Sequence, residues 1–283
     1  MLKYTEIFLG KDCNNRCLHC SYGRKDSAGI DLSSVLNLLR ERKEDSVLFY
    51  GGEPTLRSDF LQIVRAAKDN GYRRIKLLTN GRAFSSEDFL YKTVEAGCYL
   101  YEIKIFSFNP ALHDYLSQSA NSYWETIRGL ENLAGLPHDK FVSIRIPVSA
   151  ENYKDLENTV ASVLNFGVSR IVLYLCDQNA DVKSVLPHIR NAVNISIFNR
   201  TWILTEGMPF CVMQGMEQHV GEIVFGLNTT YEKTFRHHKY CAECVYRKLC
   251  PGMEAGYLER HGDREFSPVA VGKYHQDIGR LYE

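Results

Sequence analysis

Three cysteines stand close together near the start of the chain, in the stretch Cys13-Asn-Asn-Arg-Cys17-Leu-His-Cys20, directly after an apolar run at residues 4–9. Thiolates at these spacings can hold three irons of a 4Fe-4S cube. A cube has four corners, so three thiolates leave one iron open to another ligand. Because open metal positions are where metal chemistry takes place, this iron is the predicted reaction centre.

A second motif, Gly51-Gly52-Glu53-Pro54, follows the next apolar run at residues 47–50. Its glycines allow backbone carbonyls to approach a ligand closely, and Glu53 adds an anionic acceptor. In this order and context, the two motifs resemble those of the radical S-adenosylmethionine (SAM) enzymes.

That resemblance implies a specific chemistry. In the family, the amino and carboxylate groups of SAM chelate the open iron, and one electron cleaves SAM to methionine and a 5′-deoxyadenosyl radical. The ammonium of SAM can only donate hydrogen bonds, so the acceptors of the second motif suit it. His19 falls at the family's usually aromatic position beside the adenine. Flavodoxin or ferredoxin is the implied electron donor.

Two less specific interpretations remain open. A zinc site could use the same cysteines with His19 as the fourth ligand, although zinc gives no role to the second motif. A non-catalytic iron-sulfur or zinc protein, such as an electron carrier or scaffold, would likewise have no use for that motif.

Composition favours a globular chain with a large core, since 45% of its 283 residues are hydrophobic. The 34 basic and 34 acidic residues give zero formal net charge, so binding to nucleic acid or an anionic membrane is not indicated. Charged residues interrupt the N-terminal apolar run, and no stretch approaches ~18 apolar residues. We therefore expect a cytoplasmic protein, where nine cysteines favour metal binding over disulfides.

The motifs belong to a series of alternating strand-like and helix-like segments. The predicted strands are 4–9, 47–50, 75–79, 101–107, 141–148 and 170–175. Asp31 precedes the first amphipathic run, Ser85 with Asp88 opens the third helix, and Ser122 with Glu125 forms a capping box. Six βα units in series predict a parallel sheet.

Right-handed crossovers curl such a series towards a barrel. We expect an α/β fold, a partial (β/α)6 TIM-like barrel at residues 1–200, of the kind that radical SAM enzymes share. Both motifs follow strands directly, in the first two βα loops. This places them at the C-terminal rim, where such barrels carry their active residues.

Two further strands supply candidate SAM contacts. Alternation along the fifth strand directs Arg145 into the barrel, where it needs an anion: the SAM carboxylate, or a glutamate such as Glu102. Family members present a polar residue from the fourth strand to the SAM ribose, and Ser107 is the nearest hydroxyl, although Phe106 can occupy that place. His113 is predicted to make a local hydrogen bond.

A second cysteine group follows residue 200, at Cys211, Cys241, Cys244 and Cys250. Four thiolates can complete a cluster. The region resembles the auxiliary-cluster extension called twitch, the short form of the SPASM domain. We predict a small domain at residues 201–283 with a hairpin at 212–227 and one auxiliary 4Fe-4S cluster, with a four-cysteine zinc site as the alternative.

Two cysteines lie outside both groups. Cys176 ends the sixth strand, so it could return a hydrogen atom to a substrate radical near the rim. Small apolar filler is the more usual role of a buried cysteine, and we favour it here. Cys98, at a helix end, is predicted to be filler.

The substrate is not determined by these motifs. Relatives with auxiliary clusters modify peptides or protein side chains, while others oxidise or epimerise sugars and alcohols. The chain begins directly at the first strand, which leaves no room for the leader-binding domain of many peptide-modifying relatives. We still rank peptide or protein modification slightly above a small-molecule dehydrogenase or epimerase.

Overall fold

The computed structural model describes residues 4–20, 22, 29–137, 140–177, 179–225 and 235–271. The strands are β1 Thr5–Phe8, β2 Ser46–Tyr50, β3 Arg74–Thr79, β4 Leu100–Lys104, β5 Phe141–Val148, β6 Arg170–Leu175, β7 Trp202–Glu206, β8 Phe235–Arg236 and β9 Met253–Glu254. The helices are α1 Leu32–Arg40, α2 Phe60–Asp69, α3 Glu87–Ala96, α4 Pro110–Ser117, α5 Ser122–Gly135, α6 Leu156–Leu164, α7 Val182–Phe198, α8 Glu222–Phe225 and α9 Ala255–His261.

Strands β1 to β7 form one parallel sheet in sequence order, which confirms the predicted α/β fold and partial barrel. In register, Phe8 pairs with Tyr50 and Lys104 with Arg145. Because β1 and β7 are the two ends of this order, the sheet is open in the part of the chain that the structure describes. A separate two-stranded sheet joins β8 and β9.

The strand count differs from the prediction. The sheet has a seventh strand, β7, which begins after the predicted domain boundary at residue 200. Its central residues Ile203, Leu204 and Thr205 are fully buried. The strand predictions depended on apolar runs. The segment that forms β7 has five residues, including a threonine and a glutamate, and so shows little of such a run.

The sheet interior explains why these segments form strands. Val47 and Phe49 of β2 and Ile75 and Leu77 of β3 have no exposed surface. Along β2 and β3, buried residues largely alternate with partly exposed ones, so one face of the sheet is packed more tightly than the other. β-Branched and aromatic residues suit the packed face. The helices cover the sheet with one apolar face each, such as Val35 and Leu39 on α1.

Helix starts test the capping predictions. Asp31 caps α1 as predicted, with its carboxylate accepting from the Ser34 N–H at 2.9 Å. Ser86 caps α3, one residue after the predicted Ser85. The capping box at Ser122 and Glu125 is wrong, since the start of α5 makes no such side-chain cap.

The carboxylate of Asp114, on the preceding helix α4, takes the place of that capping box. It accepts from the N–H groups of Asn121 and Tyr123, both at 2.8 Å, and from the Ser122 hydroxyl at 2.9 Å. An anion from another helix therefore satisfies the N-terminal donors of α5. The capping-box pattern is present in the sequence, but the contact with Asp114 satisfies the helix donors instead.

The predicted hairpin at 212–227 is also wrong for its described part. Residues 212–225 form turns, a short 3-10 helix at Glu217–His219 and the one-turn helix α8. Residues 226 and 227 lie outside the described residues. Gly215 and Gly221 therefore belong to a turn and helix segment.

The chain divides into two compact units, residues 2–145 with 162–170, and residues 146–161 with 171–283. The domains 1–200 and 201–283 remain a prediction, and each unit is described by itself below. Among the described residues, every helix is too short or too polar to cross a bilayer.

Candidate functional site

The first cysteine group lies on the loop after β1, which contacts the end of α4. The Arg16 N–H donates to the Ser117 carbonyl at 2.9 Å, and the Leu18 N–H donates to the Leu116 carbonyl at 3.0 Å. These bonds hold the middle of the loop against a buried helix end.

The three thiols differ in their surroundings. Cys13 and Cys17 are half-buried, whereas Cys20 is exposed. Burial raises the pKa of the Cys13 thiol to about 11, and it also raises the pKa of Cys17. Iron binds thiolates, so loading the site must release protons. Three soft sulfur donors on one accessible loop fit a cluster with an open corner. His19 lies half-buried between the last two cysteines.

The glycines of the second motif dock against this cysteine loop. The Gly52 N–H donates to the Gly10 carbonyl at 2.8 Å, and the Glu53 N–H donates to the Asp12 carbonyl at 2.6 Å. A Cβ atom on Gly51 would lie 2.4 Å from the Gly10 oxygen, and Gly51 also has a positive φ of 144°. The structure therefore shows that close approach between two loops requires these glycines.

Gly52→Ala is expected to displace the cysteine loop. The new Cβ would lie 2.3 Å from the Asp12 oxygen and 2.4 Å from the Lys11 oxygen, both backbone atoms that cannot rotate away. We expect a loss of about 1–3 kcal/mol in unfolding free energy, with loss of most iron from this site. Thermal melting and iron analysis measure the two effects.

Gly135→Ala is the matched control, because its Cβ would meet nothing within 4 Å. It should retain iron and unfold at the wild-type temperature or slightly above it, since alanine favours a helix. Equal iron content in Gly52→Ala and the control would contradict the proposed loop contact.

Glu53 turns into the protein and ties the second motif to the end of β3. Its carboxylate is 2% exposed. One oxygen accepts from the hydroxyls of Thr55 at 2.6 Å and Thr79 at 2.8 Å, and the other accepts from the Asn80 N–H at 2.7 Å. Glu53 therefore organises the loops, and its contact with SAM remains a proposal. Pro54 begins a 3-10 turn, Pro54–Leu56, in which Pro54 and Thr55 are buried.

Arg82, which follows β3, also holds the cysteine loop, and the sequence analysis did not identify it. Its guanidinium donates to the Asn14 carbonyl at 2.7 Å and to Asn15 Oδ1 at 2.6 Å. Asn80 adds a bond from its side-chain amide to Asn14 Oδ1 at 2.7 Å. Arg82 and Asn80 both follow a strand closely, at the predicted rim of the barrel, and this position could have identified them.

Arg145 pairs with Glu102, the alternative partner that the sequence left open. Their closest N–O distance is 3.4 Å. Glu102 also pairs with Lys76 Nζ at 2.6 Å and with Arg170 at 3.6 Å, and it is almost fully buried. One carboxylate therefore serves three cations. A contact between Arg145 and the SAM carboxylate remains a proposal.

Glu102 is expected to contribute stability that acid removes. Burial would raise its pKa, but Lys76 and Arg145 outweigh burial and hold the pKa at about 2, below its ordinary 4.5. Because the folded pKa is the lower one, this stabilisation is present above about pH 4.5 and is lost towards pH 2. Glu102→Gln should cost about 3–5 kcal/mol at pH 7 by leaving buried cations unpaired.

Urea unfolding at several pH values measures both effects. The acid loss between pH 5 and pH 3 should be smaller in Glu102→Gln than in wild type. Glu131→Gln, which breaks an exposed pair with Arg128, is the control and should leave the pH dependence unchanged. An acid loss in Glu102→Gln equal to that of wild type would contradict the assignment.

Ser107 is fully buried, and its hydroxyl accepts from the Asn109 N–H at 2.8 Å. This bond stabilises a local turn, and the contact of Ser107 with the SAM ribose remains a proposal. Phe106 is also buried and packs edge-on against His113. His113 lies 3.3 Å from the Ser107 carbonyl through Nδ1, the local bond that was predicted. Burial lowers the pKa of His113 to about 4.

The second cysteine group surrounds one small cavity within the second unit. Cys211, Cys241, Cys244 and Cys250 all line it. Backbone N–H groups donate to the sulfurs: Val269 to Cys244 and Gly252 to Cys250, both at 3.4 Å. Burial raises the pKa of Cys250 to about 12.

Histidines flank this cavity. His237 Nε2 lies 2.9 Å from the Cys250 carbonyl, and His238 pairs with Asp263 at 2.6 Å. Four thiols, amide donors to sulfur and apolar walls fit an iron-sulfur cluster, and the same donor set suits zinc.

The remaining cysteines have backbone partners. Cys176, half-buried after β6, donates through Sγ to the Val148 carbonyl at 3.4 Å. Its role as a hydrogen donor remains a proposal. Cys98 is fully buried, as expected for filler, with Sγ 3.6 Å from the Ile75 carbonyl.

Comparison with curated proteins finds relatives of moderate identity. The probable GTP 3′,8-cyclase of Sulfurisphaera tokodaii is 27% identical over 174 residues, which cover 59% of this chain and 54% of that protein. The chain thus spans about half the length of this relative. The GTP 3′,8-cyclase of Haemophilus influenzae is 24% identical over 258 residues, covering 85% of this chain and 73% of that protein.

Comparison with solved structures supports the fold. Native anSMEcpe with bound AdoMet and the Kp18Cys peptide is similar with a TM-score of 0.63 at 15% identity, over 97% of this chain and 95% of that chain.

The family model described as the radical SAM superfamily matches residues 7–163, more than half of the chain. The chain therefore belongs to the radical SAM superfamily, a family of enzymes that use SAM and a 4Fe-4S cluster.

Proposed function

We propose that this enzyme abstracts hydrogen from an unactivated C–H bond of a peptide or protein side chain. Cys13, Cys17 and Cys20 would hold the cluster, and the second motif would receive SAM. When bound, cluster and SAM supply reductive cleavage of the sulfonium and a hydrogen-abstracting adenosyl group. The observation that carries the proposal is the docking of the Gly51-Gly52 backbone directly onto the cysteine loop.

The chain's own residues would position this chemistry. The contacts of Gly52 and Glu53 fix the second motif relative to the cysteines, so the two binding elements move as one body. Arg145 and His19 are proposed to contact the SAM carboxylate and adenine. Flavodoxin or ferredoxin would deliver the electron.

The second cysteine group would hold an auxiliary 4Fe-4S cluster in a twitch-like domain. Four protein ligands leave no iron open, so this cluster would transfer an electron or brace the fold. Removal of a second electron from the substrate would make the net reaction an oxidation or a cross-link.

The peptide assignment is supported by similarity to anSMEcpe over nearly the whole of both chains, since that structure holds a peptide. A small-molecule reaction is the second candidate. It is favoured by the two relatives named GTP 3′,8-cyclase. A sugar or alcohol dehydrogenase or epimerase belongs to the same small-molecule class.

One experiment separates the candidates. The anaerobically reconstituted enzyme is incubated with SAM, dithionite and either the Kp18Cys peptide or GTP. We expect the peptide to raise 5′-deoxyadenosine formation above the substrate-free rate and to lose mass on oxidation. GTP should leave that rate unchanged.

Stimulation by GTP, with a cyclised product and unchanged peptide, would move the assignment to the small-molecule class. Failure to form 5′-deoxyadenosine in any arm would favour a non-catalytic iron-sulfur or zinc protein. Peptide deuterated at the modified carbon adds a direct check, because deuterium should appear in 5′-deoxyadenosine.

A further inference from the structure

Asn15 lies between two thiols of the first cysteine group. Its backbone N–H donates to Cys13 Sγ at 3.4 Å, and its side-chain amide faces Cys17, where it favours the thiolate form. The residue itself is only 8% exposed. One buried residue therefore adjoins two of the three sulfurs.

Arg82 fixes the orientation of that amide. It donates to Asn15 Oδ1 at 2.6 Å, which leaves the amide nitrogen to face sulfur. Arg82 is itself fixed by Glu125 at 2.6 Å and by a bond to Ser119 Oγ at 2.9 Å, and its side chain is 11% exposed. The chain of contacts runs from α5 through Arg82 and Asn15 to the thiols.

Hydrogen bonds to cluster sulfurs stabilise the reduced, more negative state, and they raise the reduction potential. We propose that Arg82 and Asn15 are positioning residues that set the reduction potential of the SAM-binding cluster, an inference that rests on the proposed function. Backbone amides that donate to sulfur survive most substitutions, whereas the Asn15 side chain can be changed by itself.

Asn15→Asp tests this with little change in size. Aspartate keeps an acceptor for Arg82 but loses the donor to Cys17 and adds negative charge. The reduction potential should fall, measured by redox titration of the EPR signal that SAM perturbs. Arg82→Met should shift it in the same direction and should also speed iron loss to a chelator, by about 10–100-fold if it acts as other outer-shell partners do.

Arg128→Met is the control, since Arg128 is an exposed arginine on α5 that pairs with Glu87 and Glu131. It should leave potential and iron retention unchanged. Circular dichroism and melting establish that each variant is folded. Asn15→Leu, which can fill a buried site without donating, is the second variant and should also lower the potential.

The possible outcomes distinguish the proposed function from the positioning role of Asn15 and Arg82. A wild-type enzyme without a SAM-sensitive signal contradicts the proposed function. A normal wild type, with potential and iron retention unchanged in folded Asn15→Asp, Asn15→Leu and Arg82→Met, overturns the positioning role alone. Folded Asn15 and Arg82 variants that lose the cluster while Arg128→Met keeps it support that role.

Discussion

Serine at any one of Cys13, Cys17 or Cys20 is expected to abolish 5′-deoxyadenosine formation. A hydroxyl is a harder and weaker ligand for iron than a thiolate, and the half-buried loop offers no replacement sulfur. Because the cluster carries the chemistry, we expect the rate to fall by at least about 10³-fold. Product analysis with SAM and dithionite measures it.

Iron content gives an independent measure of the same change. It should fall from about eight to about four atoms per chain, since the proposed auxiliary cluster uses a separate group of cysteines. Cys98→Ala is the control, because that thiol is fully buried beside the Ile75 carbonyl and belongs to neither group, and it should retain both the iron and the rate. A Cys17→Ser enzyme with full iron and wild-type SAM cleavage would contradict the ligand assignment.

Serine at both Cys241 and Cys244 is expected to separate SAM cleavage from substrate turnover. These thiols line the second cavity with Cys211 and Cys250, and losing two ligands should release the auxiliary cluster. Iron should again fall by about four atoms per chain. SAM cleavage without substrate should continue within about threefold, while oxidised product becomes undetectable by mass spectrometry.

Metal analysis of the wild type and of the Cys241 and Cys244 double variant decides between iron and zinc at the second cysteine group. If the wild type holds one zinc and four irons, and the double variant loses only zinc, then the second site is a structural zinc site. Retained product formation in the double variant would contradict its role in electron transfer. Cys176→Ser is the control for thiol removal. When loaded with metal, it should melt at the wild-type temperature.

The sequence was sufficient for the elements on which the fold depends. Long apolar runs predicted β5 and β6 with their observed bounds, and β1 to β3 within one residue at either end. Both motifs follow strands in the first two βα connections. A parallel sheet imposes these apolar patterns strongly, because each strand must bury at least one face against the helices.

The contacts around the cysteine loop could not be predicted in the same way. Arg82 and Asn15 are 67 positions apart. Asn15 lies inside the first cysteine motif, at a position between its ligands, and Arg82 belongs to neither motif. The Asn80 N–H donates to Glu53 and its side chain donates to Asn14, although these partners lie 27 and 66 positions away. Such roles arise only when the fold brings loop ends together.

Errors in the prediction have the same physical origin. The Asp114 carboxylate replaced the capping box of α5 because it reaches three donors at once. The ribose contact of Ser107 stays a prediction, although β4 ends at Lys104, so strand alternation does not extend to that residue. Local patterns are outweighed where tertiary contacts satisfy the same groups better.

The most direct test of the account is EPR spectroscopy of the anaerobically reconstituted, dithionite-reduced enzyme before and after addition of SAM. We predict that SAM alters the signal of one cluster, that this signal is missing from Cys17→Ser, and that 5′-deoxyadenosine forms. A cluster signal that SAM leaves unchanged, or zinc at the first cysteine group, would contradict the claim that Cys13, Cys17 and Cys20 hold an iron with an open corner.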